Sequence, residues 1–293
     1  MWVAIGLVVI MVILRLLRGG RNSQSAGSNS GSSGDGSNRF ETIADKYGSL
    51  EEVQQALRKS GLESSSLIIG IDYTKSNVYN GAASFGGKSL HWIDLSHAPD
   101  SPVYVKNPYQ RVIEVIGRTL ADFDDDNIIP AFGFGDSRTR DRGVFPLRPD
   151  GLACEGFNGV LHAYNEVTPL LTLSGPTSFA PLIYQAIGIV REERAYHILV
   201  IVCDGQVVNE RETRKAIIDA SHHPLSIVCI GVGDGPWDMM HEFDDGLPAR
   251  DFDNFQFVEM DAVLKAAAGA RNPDAAFALA ALMELPDQYR AIC

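Results

Sequence analysis

The sequence contains few cysteines, and their spacing argues against the usual cysteine-based sites. Four occur in 293 residues, Cys154, Cys203, Cys229 and Cys293, and no two of them have C-x-x-C spacing. Cys203 and Cys229 lie inside apolar runs, where a free thiol behaves as a small hydrophobic side chain. We therefore expect neither a zinc site nor a disulfide framework, and we expect a reducing compartment.

Basic residues are also scarce relative to acidic ones. The chain carries 25 lysines and arginines against 37 aspartates and glutamates, a formal net charge of −12. A nucleic-acid partner requires a concentrated basic face, and the basic bias of this sequence lies near its beginning, at Arg15, Arg18 and Arg21. No nucleic acid is expected among the partners.

One long hydrophobic run stands at the beginning, MWVAIGLVVIMVIL, followed by RLLRGGR. A helix through Leu17 would span roughly 25 Å, somewhat short for a bilayer core of about 30 Å. No basic residue precedes the run and no A-x-A site follows it. An uncleaved anchor at residues 1–18 is therefore favoured over a cleaved signal peptide or a mis-assigned start. The arginines behind it predict a domain facing the cytosol. Location in the cytoplasm and nucleus is the alternative.

The chain between this run and the globular part is expected to have two segments. Residues 19–38 are almost entirely Gly, Ser and Asn, which predicts a flexible linker. Residues 39–65 read as a helical lead-in, with Ser49 as N-cap and Glu52 three residues later. Residues 66–290 are expected to form one domain.

From Ser66 onward, apolar segments alternate with amphipathic ones. The predicted strands lie at 66–72, 127–136, 195–204 and 224–234, with a weaker one at 255–260. The predicted helices lie at 107–123, 156–171, 178–193, 209–222 and 273–285. This alternation predicts an α/β fold with a mostly parallel sheet covered on both faces. Three of the strands end in Asp72, Asp204 and Asp234, and Asp136 closes a fourth. Since ligands of open α/β sheets bind at the carboxyl ends of the strands, these carboxylates should gather on one rim.

Three loops of this rim offer hard oxygen ligands. DYTKSN supplies Asp72, Thr74 and Ser76, LSGPTSFAP supplies Thr177, and VCDGQ supplies Asp204. An extended D-x-T-x-S segment points alternate side chains the same way, and Mg²⁺ or Ca²⁺ prefers oxygen ligands. An Asx turn after the strand would explain the first loop without a metal. Two carboxylates and three hydroxyls would leave a cation electrophilic and open to a partner's carboxylate.

Several of these motifs carry a family resemblance. GIDYTKSN, LSGPTSFAPLI, VIVCDGQV and GVGDGPWDMMHEFDD resemble the von Willebrand factor A domain of copines, and still more that of plant RING-domain ubiquitin ligases with a copine-type domain. The resemblance covers roughly residues 40–290. It implies a doubly wound fold with a metal-ion-dependent adhesion site for one divalent cation, Mg²⁺, Ca²⁺ or Mn²⁺. Residues that match that motif are Asp72, Thr74, Ser76, Thr177 and Asp204.

The resemblance leads to two functional expectations. The first is a metal-dependent protein-interaction domain that binds an acidic side chain of a partner and serves as a binding part of ubiquitination. The alternative is an E3 ubiquitin ligase whose RING is absent from this chain or supplied in trans, because the paired C-x-x-C ligands of a RING do not occur before Cys293. Met1-Trp2 replaces the Met-Gly needed for myristoylation. No catalytic constellation is visible, so enzymatic activity stays open.

Two acidic runs, DFDDDN and HEFDDG, are a competing candidate for calcium binding. Neither has the alternating ligands and central glycine of an EF-hand. We expect both to be solvated loops.

Overall fold

The computed structural model describes residues 49–59, 65–124, 126–247 and 250–292. The predicted anchor at 1–18 and linker at 19–38 lie outside these residues, and among the described helices none has the length and apolar character to cross a membrane. Part of the predicted lead-in is described as helix α1 (Leu50–Lys59). Its N-cap is as predicted, because the Ser49 hydroxyl oxygen accepts a hydrogen bond from the Glu52 amide at 3.2 Å.

A six-stranded mixed sheet forms the centre of the domain. Its strands are, in spatial order, β4 (Phe145–Pro146), β3 (Ala131–Phe134), β1 (Ser66–Asp72), β6 (His197–Cys203), β7 (Leu225–Gly231) and β8 (Phe255–Glu259). All neighbours pair in parallel except β4, which runs antiparallel to β3 at the edge. The predicted mostly parallel sheet is confirmed.

Helices cover both faces of the sheet, as expected for near-continuous apolar strands. They are α2 (Pro108–Leu120), α3 (Gly156–Val167), α4 (Ala180–Glu193), α5 (Glu210–Ala220), α6 (Asp238–Asp245), α7 (Met260–Ala266), α8 (Pro273–Leu282) and α9 (Leu285–Ile292). Helices α2, α3, α8 and α9 contribute to one apolar core and α4, α5 and α6 to the other. The fold is therefore a three-layer, doubly wound arrangement.

Strand β1 shows how the sequence places these two cores. Leu67 and Ile69 point into the core formed with α2 and α3, and Ile68 points into the core formed with α4 and α5. A side chain at position 70 would not fit, because a Cβ on Gly70 would lie 2.1 Å from Leu182 Cδ2 on α4. The helix therefore packs directly on the strand that leads to Asp72.

The connections reverse direction beside β1. From β1 the chain goes to β3 on one side, and later enters β6 on the other. This is the switch point at which doubly wound folds bind ligands, beyond the carboxyl ends of the strands.

Two sequence expectations need correction. The predicted strand 127–136 is broken at Pro130, which has no amide hydrogen for a continuous ladder; the piece before it, β2 (Ile128–Ile129), pairs instead with β5 (Cys154–Glu155). HEFDDG is not a solvated loop, because most of it belongs to α6. Glu242 and Asp245 are exposed, while Met240 and Phe243 are fully buried, as in an amphipathic helix. Asp244 is half-buried and accepts a hydrogen bond from the Phe257 amide at 3.1 Å.

Further short elements were not predicted. Strands β4 and β5 have two residues each, and α7 and α9 have seven and eight. Elements of this length carry too little periodicity to stand out from a loop.

Candidate metal centre

The first rim loop starts where β1 ends. Asp72 is fully buried, and its Oδ1 accepts a hydrogen bond from the Thr74 amide at 2.8 Å. This is the Asx turn considered as the alternative interpretation. The turn brings the Thr74 hydroxyl within 3.0 Å of the Ser76 hydroxyl, which lies in a short 3₁₀ helix at Lys75–Val78. The turn and a clustering of oxygen side chains coexist in one segment.

The third rim loop meets the first directly. Asp204 follows β6, and its Oδ1 accepts a hydrogen bond from the Ser76 hydroxyl at 2.9 Å. Asn80 donates from Nδ2 to the Asp204 main-chain oxygen at 2.8 Å and to Oδ2 at 3.1 Å. Four of the five candidate ligands, Asp72, Thr74, Ser76 and Asp204, therefore form one connected group at the switch point.

The second rim loop, which carries Thr177, is attached to both of the others. Thr74 and Ser174 form a parallel β-bridge, and the Lys75 amide donates to the Ser174 oxygen at 2.6 Å. On the other side, the Val208 amide donates to the Thr177 oxygen at 2.9 Å. Within the described part of the chain, no hydrogen bond joins the Thr177 hydroxyl to the other four side chains. Thr177 is thus placed beside the group without being bonded to it.

The two carboxylates strongly disfavour ionisation. Burial raises the pKa of Asp72 to about 6. Burial, and then repulsion from Asp72, raises the pKa of Asp204 to about 8. A proton held between them would let Asp204 donate to Asp72, which lowers the pKa of the acceptor and raises that of the donor. Without a cation, the pair therefore retains one proton near neutral pH rather than carrying two negative charges.

One buried oxygen of this group has no donor. Among the described residues, and apart from a proton shared with Asp204, no group donates to Asp72 Oδ2, although the atom is shielded from solvent. Buried acceptors are normally satisfied, so this atom is a place where a cation would be stabilised. Within the described residues, no three His, Cys, Asp or Glu side chains are arranged to hold a metal ion by themselves. A metal at this site would therefore need the hydroxyls in addition to the two carboxylates. Such a set fits a hard cation.

A buried polar network holds the backbone at Asp72 in place. The Asp72 main-chain oxygen accepts from Tyr109 Oη at 3.2 Å and from Asn77 Nδ2 at 3.3 Å, and lies 2.7 Å from His91 Nε2. His91 Nδ1 lies 2.8 Å from Tyr164 Oη, which makes Nε2–H the donor to Asp72. Burial lowers the pKa of His91 to about 3, so the ring is neutral.

Sequence reasoning missed this network. His91 is stacked between Tyr73 and Tyr109, with ring centroids 4.6 and 4.1 Å away, and nothing in the local sequence around position 91 indicates such a location. Asn77 and Asn80 are closer in sequence to the predicted site, because both lie in the segment DYTKSNVYN, which begins at Asp72.

Gly135 closes the site from the side of β3. It adopts φ +83°, and a Cβ there would lie 2.3 Å from Thr74 Cγ2 and 3.5 Å from Asp72 Oδ1. Only glycine permits both this conformation and this approach.

The other rim carboxylates do not join the group. Asp136 Oδ1 accepts from the amide and the hydroxyl of Thr139, at 2.9 and 2.5 Å. Asp234 accepts from the amides of Ala83 and Ser84, both at 2.8 Å. Both carboxylates stabilise turns, so the gathering of strand-end carboxylates produces a site only beside β1.

Comparison with known proteins places the chain among its relatives. The family model described as Copine matches residues 89–293. Copine family protein 1 of Caenorhabditis elegans is 53% identical over 245 residues, which cover 84% of this chain and 21% of that protein. E3 ubiquitin-protein ligase RGLG1 of Arabidopsis thaliana is 51% identical over 266 residues, 86% of this chain and 53% of the ligase. The chain thus spans about a fifth to a half of the length of these two relatives.

Among solved structures, the crystal structure of manganese-loaded Plasmodium vivax TRAP protein is similar, with a TM-score of 0.43 and 14% identity over 70% of this chain and 72% of that one. The evidence for the family comes from the sequence matches, which extend over most of the described domain. The chain belongs to the copine family.

Proposed function

We propose that the rim group binds one divalent cation through the side chains of Asp72, Thr74, Ser76, Thr177 and Asp204. The observation that carries this proposal is the buried carboxylate pair: two aspartates with raised pKa values, linked through Ser76, with Asp72 Oδ2 lacking a donor. A cation would remove the desolvation and repulsion that now oppose their ionisation. Mg²⁺, Ca²⁺ and Mn²⁺ all accept such oxygen ligands.

The second part of the proposal is that a partner protein supplies a carboxylate to this cation. Two aspartates at most balance the charge of a divalent cation, and the hydroxyls contribute no charge. Five side-chain ligands would leave one position of a six-coordinate cation such as Mg²⁺ open, and a partner's carboxylate would fill it. Neutral ligands also keep a cation electrophilic. A protein-interaction domain whose binding depends on a metal follows from this chemistry.

Calorimetric titration with Mg²⁺, Ca²⁺ and Mn²⁺ tests the metal site. One site per chain is expected, and it should disappear in Asp72→Ala and in Asp204→Ala. Asp234→Asn is the matched control, because it removes a rim carboxylate that only caps a turn, and it should bind as the parent does. Unchanged binding in both alanine variants would refute the proposal.

A role in ubiquitination is a second candidate, supported by 51% identity to a plant ubiquitin ligase that is longer than this chain. The domain would then serve as the part that binds a substrate or partner. An in vitro ubiquitination assay with this chain, with and without an added RING protein, separates a binding part from a complete ligase. Chain formation without the added protein would show that this chain is itself a ligase.

The membrane anchor at residues 1–18, with the domain facing the cytosol, also remains a prediction. Partition of the full chain between membrane and soluble fractions after alkaline extraction tests it. A chain recovered in the soluble fraction would contradict it.

A further inference from the structure

The loop after β3 carries three arginines at alternate positions, Arg138, Arg140 and Arg142, in a chain of net charge −12. All three are exposed, and none has an ion-pair partner within the described residues. We call residues 137–142 the arginine loop. In the sequence, the neighbouring Asp136 and Asp141 mask this cluster of positive charge.

The arginine loop is attached to two of the three loops that carry the proposed metal ligands. Its base is attached to the Thr177 loop, through the β-bridge between Asp136 and Leu173 and the hydrogen bond from the Ser137 amide to the Thr172 oxygen at 2.9 Å. Its far end reaches the Asp204 loop, where Asn209 donates to Asp141 Oδ2 at 3.3 Å. The arginines therefore stand beside two of the three rim loops.

The loop backbone is already ordered without a partner. Asp136 accepts from Thr139, the Arg140 amide donates to the Asp136 oxygen at 2.9 Å, and the Arg142 amide donates to the Thr139 oxygen at 2.9 Å. A ligand of these side chains would pay little for ordering the backbone.

The acidic groups near this loop neutralise it only in part. Asp136 and Asp141 hydrogen-bond to the neutral side chains of Thr139 and Asn209 rather than to the arginines, and residues 136–142 contain three arginines against two aspartates. Arg142 lines a cleft of about 670 Å³ together with Tyr184, Glu212 and Lys215. Lys215 pairs with Asp219 rather than with Glu212. Among the described residues that line the cleft, Glu212 is the one carboxylate, and it opposes an acidic ligand.

We propose that the arginine loop recognises acidic residues flanking the carboxylate that binds the cation, so that the partner segment is an acidic stretch rather than an isolated Asp or Glu. This inference rests on the proposed function. Charge complementarity is its physical basis, because arginine binds carboxylates in a bidentate geometry. A nucleic-acid ligand would need a wider basic face than three arginines provide in a chain of net charge −12.

Two synthetic decapeptides of Gly and Ser test the proposal by fluorescence anisotropy in Mg²⁺. Both contain one central Asp, and in one of them four flanking residues are replaced by Glu. Two double variants with the same charge change are compared, Arg138→Gln/Arg142→Gln and, on other surfaces, Arg191→Gln/Arg271→Gln. The Glu-flanked peptide should bind the parent roughly tenfold more tightly than the peptide without flanking Glu. Added salt should reduce this difference in affinity, and Arg138→Gln/Arg142→Gln should largely abolish it.

The outcomes separate this inference from the function it rests on. Calorimetric Mg²⁺ binding should be equal in the parent and both double variants, and its absence from the parent would reject the metal site. The role of the arginine loop is refuted if Mg²⁺ binds but the Glu-flanked peptide binds no more tightly than the other peptide. It is also refuted if both double variants lose the tighter binding of the Glu-flanked peptide to the same extent. Tighter binding of a ten-nucleotide single-stranded DNA than of the Glu-flanked peptide would likewise overturn it.

Discussion

Replacing Asp204 with asparagine is expected to stabilise the metal-free domain and at the same time to abolish metal binding. Asparagine has the shape of a protonated aspartate and preserves both side-chain contacts. Its amide oxygen can accept from Asn80 Nδ2, and its amide nitrogen can donate to Ser76 Oγ, whose hydroxyl then turns to Thr74. The substitution therefore removes the ionisable group with little other change.

The magnitude follows from proton linkage. The pKa of Asp204 rises from 3.8 to about 8 on folding, so the folded state binds more protons than the unfolded state between these values. The contribution of Asp204 to the free energy of unfolding is therefore fully present below about pH 4. It is lost as the pH rises towards about 8, by at most about 1.4 kcal/mol per pH unit. At pH 7 the upper limit of the loss is about 4 kcal/mol, and relaxation around the charge reduces it to about 2–4 kcal/mol. Asparagine avoids this loss, which corresponds to a gain of roughly 5–10 °C in melting temperature.

Urea unfolding in EDTA at pH 5 and pH 8 measures this difference. The variant should exceed the parent in free energy of unfolding by a small margin at pH 5 and by a larger one at pH 8. Addition of Mg²⁺ at pH 8 should stabilise the parent and leave the variant unchanged. A variant that is less stable than the parent in EDTA at pH 8 would show that the folded domain does not oppose ionisation of Asp204.

Two further substitutions test the surroundings of the site. Gly135→Ala should lower the free energy of unfolding by about 1–3 kcal/mol and weaken Mg²⁺ binding, because the new Cβ collides with Thr74 and alanine disfavours the positive φ at this position. The control Gly188→Ala, at an open position of α4, should raise the free energy of unfolding by about 0.5–1 kcal/mol and bind Mg²⁺ normally. Equal Mg²⁺ binding in both variants would contradict the role given to Gly135. His91→Phe should cost about 1–3 kcal/mol at pH 7 through the lost contacts to Asp72 and Tyr164. The pKa of His91 falls to about 3 on folding, so the contribution of its ring to stability is present above about pH 6.5 and declines as the pH falls below that value. The cost of His91→Phe should therefore be smaller at pH 4.5 than at pH 7. NMR titration of the parent should show a neutral His91 ring at pH 5, and a protonated ring there would contradict the burial argument.

The sequence was informative about the fold wherever an element is long and periodic. The central strands are continuous apolar runs and the long helices are amphipathic, so their order already predicted a mostly parallel sheet with two covered faces. Predictions failed where one residue or one face decided the outcome. Pro130 interrupts a strand, and the buried Phe243 turns an acidic run into α6.

The candidate site divides in the same way. The D-x-T-x-S spacing and the strand-end Asp204 are local signals, and the structure brings these side chains together; that they bind a metal stays a prediction. The network around Asp72 depends on residues such as His91 and Tyr164, which lie 19 and 92 positions away in the chain. Their contacts arise only from tertiary packing, so no local pattern could have revealed them.

Asp72 ends β1 and Asp204 directly follows β6, which are adjacent inner strands, and this position has a consequence for local unfolding. Strands β4 and β8 form the edges of the sheet, and either edge can fray without changing the distance between the two carboxylates. The pair separates only if β1 leaves β6, which requires opening the middle of the sheet and both cores. In a hydrogen-exchange experiment, a bound cation should therefore slow exchange most at amides of β1 and β6 that open only in global unfolding, while amides at the edges continue to exchange at their own rate.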